Sequence, residues 1–323
     1  MTTYGFHCSH EEIGPRALLD WAKKAEQAGF TAAMCSDHLA PWSNRQGESG
    51  FAWSWLGSAL EGTDMSFGVV NAPGQRYHPV IIAQAIATLG QLYPGRFWAA
   101  LGSGEAMNEH ITGDRWPSKP ERNERLLECV TIIRALLNGE EVSHRGHVTV
   151  DRARVYSLPE VQPLLVGTAV TKETSGWVAS WADGMATIAQ PEEKLREVIG
   201  AYRDAGGTGE VTVQTHLSVA STHSAALAEA YDQWASNIFN PPLCWDLETP
   251  EAFDEAARYV EPKDVEKSVF VTAESGPLLE HIAMLERCGA DRVYLHNVGT
   301  EHEYFLELMA NEVFPRLDTE VRA

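Results

Sequence analysis

Eight short apolar runs, each followed by a stretch with helical spacing, constrain this chain more than any other feature of its sequence. The runs are Thr3 to Cys8, Thr31 to Ser36, Met65 to Ala72, Arg96 to Leu101, Leu164 to Thr168, Gly184 to Ala189, Glu210 to Ala220 and Arg292 to Asn297. Most are apolar at consecutive rather than alternate positions, the pattern of a parallel strand covered on both faces. The intervening helices have readable ends. Pro15 opens one, and Gly29 closes it before the second run. The same glycine stop recurs at Gly206 and Gly289, as expected where a helix ends in a left-handed turn. Further helices are expected over Pro79 to Leu92, Pro120 to Leu137, Ser175 to Trp181, Pro191 to Asp204 and Glu303 to Val313. Strand then helix, eight times in 323 residues, predicts an α/β fold, a (β/α)8 barrel of the TIM type, with residues 1–323 forming a single domain.

Two connections exceed ordinary loops. Gly102 to Pro120 follows the fourth run, and Ser221 to Pro277 follows the seventh. The second carries its own helical patterns, Ser224 to Asn237 and Pro250 to Tyr259. Residues 221–277 therefore read as an insertion after strand 7, a helical cap over the active-site end of the barrel. Trp42 to Ser54, rich in Ser, Gly, Asn and Gln, is another lid candidate.

Composition narrows the partners. Forty-five acidic residues against twenty-five basic ones give a formal charge of -20, which repels nucleic-acid phosphates and anionic membrane surfaces. With 44% hydrophobic and 22% charged residues, the chain reads as globular, soluble and folded. Its five cysteines, at positions 8, 35, 129, 244 and 288, form neither a disulfide framework nor a CxxC knuckle. A reducing cytoplasm is expected. No basic segment followed by an apolar run opens the chain, and no window resembles a membrane span.

In a barrel of this kind chemistry gathers where the strands end. The first run ends in Cys8-Ser9-His10-Glu11, the second in Ser36-Asp37-His38 with Trp42 behind it, and the third in Asn71. The fourth ends in Gly102-Ser103-Gly104-Glu105, and the eighth in His296-Asn297. His7, His10, His38, Asp37 and Glu105 raise the question of a metal. A two-metal hydrolase would also need ligands on the fifth and sixth runs, which end instead in Gly167-Thr168-Ala169 and Ala189-Gln190-Pro191, so no metal is expected. The segment Gly102-Ser103-Gly104 lacks the spacing of a Walker loop or a dinucleotide fingerprint. Its glycines still permit a flat or phosphorylated ligand to approach the backbone closely.

Several motifs in one order carry a resemblance. Ser36-Asp37-His38 with Pro41-Trp42, then Gln75-Arg76-Tyr77-His78-Pro79 with Gln84-Ala85-Ile86-Ala87-Thr88, then Leu92-Tyr93-Pro94-Gly95-Arg96 leading into Gly102 to Glu109, together resemble the luciferase-like superfamily. Within it the chain is most similar to the branch of F420-dependent glucose-6-phosphate dehydrogenases. The likeness is dense from about residue 5 to residue 140 and topological thereafter. It implies an oxidoreductase that holds F420, or alternatively FMN, across the strand ends and moves hydride between the ring and a small alcohol or carbonyl substrate. By the same resemblance His38 is the base, Glu105 the acid facing the ring's pyrimidine edge, and Trp42 the indole beside the reacting carbon. Asp37 would line the ring pocket, and Glu11 the substrate pocket. Relatives often carry a non-proline cis peptide at the end of strand 3, matching Val69-Val70-Asn71, so Val70 and Asn71 are expected against the ring. A homodimer is also implied.

The proposed roles suit the residue types. Alcohol oxidation releases a proton as hydride leaves, and an imidazole with an ordinary pKa of about 6.5 accepts it near neutrality. Charge developing on the ring's pyrimidine end calls for a donor.

The sequence departs from the branch in two places. Relatives bind substrate phosphate with basic residues near the seventh helix, but here Ser268 stands where an arginine is expected, leaving Lys267 as the candidate. A glycine pair that seats cofactor phosphate is replaced by Gly167-Thr168-Ala169, with Thr171 and Lys172 nearby. The alternatives are an FMN-dependent luciferase-like monooxygenase or reductase, and a non-catalytic flavin-binding protein.

Overall fold

The computed structural model describes residues 2–320. Its centre is a closed barrel of eight parallel strands: β1 (Thr3–Cys8), β2 (Ala32–Ser36), β3 (Ser66–Asn71), β4 (Phe97–Leu101), β5 (Leu164–Thr168), β6 (Gly184–Ile188), β7 (Val211–Val219) and β8 (Arg292–Asn297). Each strand pairs with its sequence neighbours, and β8 closes on β1 through Phe6 opposite Leu295. The expected α/β barrel is the observed one, with strand bounds within a residue or two of the apolar runs.

Alternation along the strands sorts the residues into two populations. Phe6, Cys8, Ala33, Cys35, Phe67, Val69, Ala99 and Leu101 pack outward into the shell between strands and helices. Ala32, Met34, Trp98, Ala100, Val166, Ala186 and Tyr294 fill the barrel interior. Two glycines make that filling possible. A Cβ at Gly5 would overlap the Tyr294 ring, and one at Gly68 would overlap the Trp98 indole. The two rings meet at 5.9 Å in the barrel's lower half, where the alternation of large and absent side chains gives close packing.

Helices α1 (Pro15–Gln27), α2 (Ala52–Gly62), α3 (Pro79–Leu92), α4 (Lys119–Leu137), α5 (Lys172–Val178), α6 (Glu192–Asp204), α7 (Ser275–Arg287) and α8 (Glu303–Leu308) are the crossovers and the closing helix. Their starts follow local chemistry. Pro15 and Pro79 occupy first turns, where no backbone donor is lost. Ser118 and Glu121 form a reciprocal capping box on α4. Helix α5 begins three residues earlier than its apolar pattern implied, because the Thr171 side chain accepts the Thr174 N–H and sets the first turn there. Past α8 the chain continues through a π-helical turn at Met309–Val313 into a last helix, Phe314–Glu320.

Two strand features were not evident in the sequence, whereas the two main helices of the insertion were expected over Ser224 to Asn237 and Pro250 to Tyr259. A hairpin, Val142–Arg145 with Thr149–Ala153, precedes β5; its residues are mostly exposed, so no apolar pattern marks it. A short strand, Phe270–Thr272, runs parallel to the overhanging end of β7. The helix His223–Trp234 and the shorter helices Leu243–Asp246, Pro250–Ala256 and Pro262–Val265 make up the insertion. The expected cis peptide in Val69-Val70-Asn71 is absent. These residues are regular β3, paired as Val70 with Ala100 and Asn71 with Leu101, and the cis bond among the described residues is Pro241-Pro242. No helix of the described residues is long and apolar enough to cross a membrane.

Candidate active site at the carboxyl ends of the strands

Just past β1 and β2 two side chains meet. His38 Nδ1 lies 2.5 Å from Glu11 Oε1, and the other Glu11 oxygen accepts the Ser9 hydroxyl at 2.9 Å. The Glu11 side chain is 3% exposed and that of His38 16%. Burial alone would raise the Glu11 carboxyl, but the imidazole outweighs it and holds Glu11 down at about 2. Conversely, burial opposes charge on His38, yet Glu11 wins and raises the imidazole above its ordinary value. An ionised Glu11 can only accept, so the neutral His38 carries its proton on Nδ1 and leaves Nε2 as the free base. That Nε2 lies 3.7 Å from Glu105 Oε2, too far for a hydrogen bond and close enough for a reacting group to lie beside both.

Glu105 ends the loop after β4. Burial raises its carboxyl above the ordinary range, and Glu11 adds to the shift while His38 opposes it. Asn108 fixes the loop by accepting the Leu39 N–H at 2.8 Å and donating to Glu105 at 3.4 Å. Its amide thus ties the β4 loop to the His38 turn. Behind them Lys119 donates to Ser103 Oγ at 2.6 Å and lies 5.0 Å from the Trp245 ring. Burial brings its ammonium down to about 8.

Trp42 meets His38 edge to face at 5.2 Å and Phe253 of the insertion also at 5.2 Å. The segment after Trp42 is latched to the same insertion. Gln46 donates to the Gln233 carbonyl at 2.9 Å, Asn44 Nδ2 reaches Asp254 at 2.9 Å, and Arg45 Nη2 pairs with Asp232 at 2.7 Å. On the opposite side Trp116 Nε1 donates to Asp246 at 3.0 Å.

Other expected site residues have different work. The Asp37 side chain is fully buried and accepts from Trp53 Nε1 at 3.1 Å, Asn71 Nδ2 at 2.9 Å and Tyr77 at 3.3 Å. Asp37 and Asn71 therefore brace the His38 turn from below. Gly167 faces outward, where a Cβ would strike Val178 and Trp181; its role is to let α5 pack. Lys267 stands on the outer surface, 72% exposed and paired with Asp264 at 2.9 Å, so it does not join the cluster. Lys172 is exposed at the start of α5.

Val70, Gly102, Ser103, Gly104 and Thr168 lie at the carboxyl ends of β3, β4 and β5. Val70 and Thr168 face the interior and are partly exposed, as is the apolar Ile188 at the end of β6. At Gly102 a Cβ would come 2.8 Å from Thr168 Oγ1, and Gly104 holds a φ of +84° that favours glycine. These strand ends make a shallow apolar seat with bare backbone at its edge, which fits a planar heterocycle.

Residues 1–303 match the family described as luciferase-like monooxygenase. The chain belongs to that family. This luciferase-like protein is an oxidoreductase by kinship, and its relatives cover nearly its whole length. It is 32% identical to an F420-dependent glucose-6-phosphate dehydrogenase of Microbacterium testaceum, over 97% of each chain. A second such dehydrogenase, from Rhodococcus erythropolis, is 31% identical with the same coverage. Among solved structures, an F420-dependent secondary alcohol dehydrogenase in complex with an F420-acetone adduct superposes with a TM-score of 0.89 at 26% identity, over 97% of this chain and 98% of that one. The F420-dependent tetrahydromethanopterin reductase of Methanopyrus kandleri shares the fold, with a TM-score of 0.76 at 20% identity over 98% and 99% of the two chains.

Proposed function

We propose that this luciferase-like protein is an F420-dependent oxidoreductase that moves hydride between the deazaflavin ring and the carbon of a small alcohol or carbonyl substrate. The observation that carries the reading is the orientation of His38, with Nδ1 on Glu11 and Nε2 facing Glu105. The seat formed by Val70, Thr168 and Ile188, with the open backbone of Gly102 and Gly104, would hold the ring, and the bound cofactor would supply the two-electron hydride chemistry.

The protein's own residues manage the proton. His38 Nε2 takes it from the substrate hydroxyl as the carbinol carbon is oxidised, and Glu11 stabilises the imidazolium without itself becoming protonated. In the reverse direction the same imidazolium returns the proton to the carbonyl oxygen. Glu105, with its raised carboxyl, is the donor beside the ring. Trp42 and Phe253 close the site from the insertion side and keep water away from the reacting carbon. Residues 221–277 thus act as a cap on a single barrel domain. A cytoplasmic homodimer completes the proposal.

Fluorescence titration of the purified protein with F420 and, separately, with FMN tests it. Saturable binding of F420 is expected. Tight binding of FMN with no response to F420 would move the protein to the FMN-dependent branch of the family, and binding of neither would leave no oxidoreductase reading.

A further inference from the structure

The mouth of the barrel is divided. On the side of β3 to β6 its floor is apolar, through Val70, Ala100 and Ile188, with the Thr168 hydroxyl beside them. On the side of β7, β8 and β1 it is built from imidazoles and an amide. His296 lies opposite His216 in register on adjacent strands, and the His7 ring on β1 lies 4.3 Å from that of His296. His216 and His296 approach to 5.3 Å. Gln214 Nε2 lies 3.3 Å from His216 Nε2 and 3.4 Å from His296 Nδ1, and Glu12 fixes His296 Nε2 at 3.1 Å. Trp234 of the insertion packs on both His216 and His296, at 4.8 Å from each.

His7 and His296 are only 3% and 2% exposed, so they are the foundation of this floor. Gln214 and His216 retain partial exposure, whereas Val213, Thr215 and Leu217 between and beside them are buried toward the helices. Gln214 reaches toward the carboxyl ends of the strands, to His216 and His296, so the exposure of these two polar groups is toward the substrate space. Burial, followed by repulsion from His296, holds His216 down at about 3. It is therefore a neutral imidazole, with one donor and one acceptor, matched to a hydroxyl and not to an anion.

The cations of the insertion are engaged at the surface: Arg258, Lys263 and Lys267 have side chains 62%, 71% and 72% exposed and are paired with Glu255, Glu261 and Asp264. Lys119 stands on the β4 side of the mouth, against Ser103, while Glu11, held ionised, lies on the β1 side. A phosphate on the imidazole side would face Glu11 and the neutral His216 rather than a lysine or arginine.

We infer that His216, held by Gln214 and Trp234, binds a second hydroxyl of the substrate, and that the substrate is an uncharged polyol or non-phosphorylated sugar rather than a sugar phosphate or a simple mono-alcohol. This rests on the F420 reading above and names the substrate class of that site.

The test compares F420 reduction with isopropanol, glycerol, glucose and glucose 6-phosphate, using wild type, His216→Leu and His216→Asn. Calorimetric titration of glycerol and glucose into F420-loaded protein adds a readout independent of turnover. The expected wild-type result is kcat/KM for glycerol or glucose above that for isopropanol and for the phosphate. In His216→Leu the ratio of polyol to isopropanol falls roughly tenfold to a hundredfold, the scale of one lost buried hydrogen bond, with heat of binding lost in parallel. His216→Asn, which keeps a donor and an acceptor, recovers part of the ratio. Preference for isopropanol or for the sugar phosphate, or a ratio unmoved in a folded His216→Leu protein, overturns the inference. Failure of F420 to bind at all overturns the underlying reading instead.

Discussion

His38 and Glu11 form a buried ion pair across the ends of adjacent strands, with Nδ1 and Oε1 2.5 Å apart. The pair decides which nitrogen of His38 is available, and therefore where a proton can be taken.

Because Glu11 raises the imidazole above its ordinary value of about 6.5, the neutral base form accumulates only above that pH. The acid limb of kcat/KM for alcohol oxidation should lie above the ordinary imidazole range. Glu11→Gln should move that limb to lower pH and lower its plateau, since the base is weaker and its imidazolium loses its partner. His38→Ala should lower kcat by about 10²- to 10⁴-fold. Steady-state pH profiles of the three proteins check both statements. An unmoved limb in Glu11→Gln would assign the titration elsewhere.

Asp37 should matter for stability more than for ligand contact. Arg76 lies beneath it with a side chain 6% exposed, donating to the Asp37 carbonyl at 2.6 Å and lying 3.5 Å from its carboxylate. Asp37→Ala strips the partners from Trp53, Asn71 and Tyr77 and removes the nearer carboxylate from Arg76, whose remaining carboxylate, Glu109, is 3.8 Å away. A loss of about 3–5 kcal/mol is expected, read by urea unfolding.

Acid should unfold this protein through its histidines. His302 is depressed to about 3 and His281 to about 4, each by burial. Both are neutral in either state above about pH 6.5. Below it the unfolded chain takes up protons that the folded chain refuses, so stability falls as pH drops through about 6.5 toward 4, by up to about 1.4 kcal/mol per pH unit for each group. Denaturant titrations at stepped pH measure the slope. His302→Gln should flatten it.

Packing inside the barrel gives a test that is independent of chemistry. Gly68→Ala should cost about 1–3 kcal/mol, because its Cβ would enter the Trp98 ring. Trp98→Leu should recover part of that cost in the double variant, a coupling that thermal unfolding of the cycle would expose.

How much of this was legible before the structure depended on what each residue must do. The barrel was readable because β1 to β8 are buried on both faces, which leaves continuous apolar runs. His38, Glu105, Trp42 and Glu11 were readable as strand-end residues and by family pattern, and the structure brings them together. For Asp37 and Asn71 a strand-end position does not tell which way a side chain points; the structure shows them bonded to each other and Asp37 to Trp53. Lys267 was misplaced because a helix turn at Asp264 captured it. His7 and His296 were named as candidates, but Gln214 and His216, which complete the floor with them, were missed although their signal was present. Gln214 and His216 are two residues apart in an otherwise buried strand, so they share one face.

Single-turnover mixing of F420-loaded protein with its alcohol substrate tests the central claim most directly. The account predicts that the F420 absorbance is lost, that deuterium at the carbinol carbon slows the loss, and that His38→Ala slows it by at least about a hundredfold with F420 still bound. Turnover with reduced FMN and oxygen, with no bleaching of F420 by any alcohol, would contradict it.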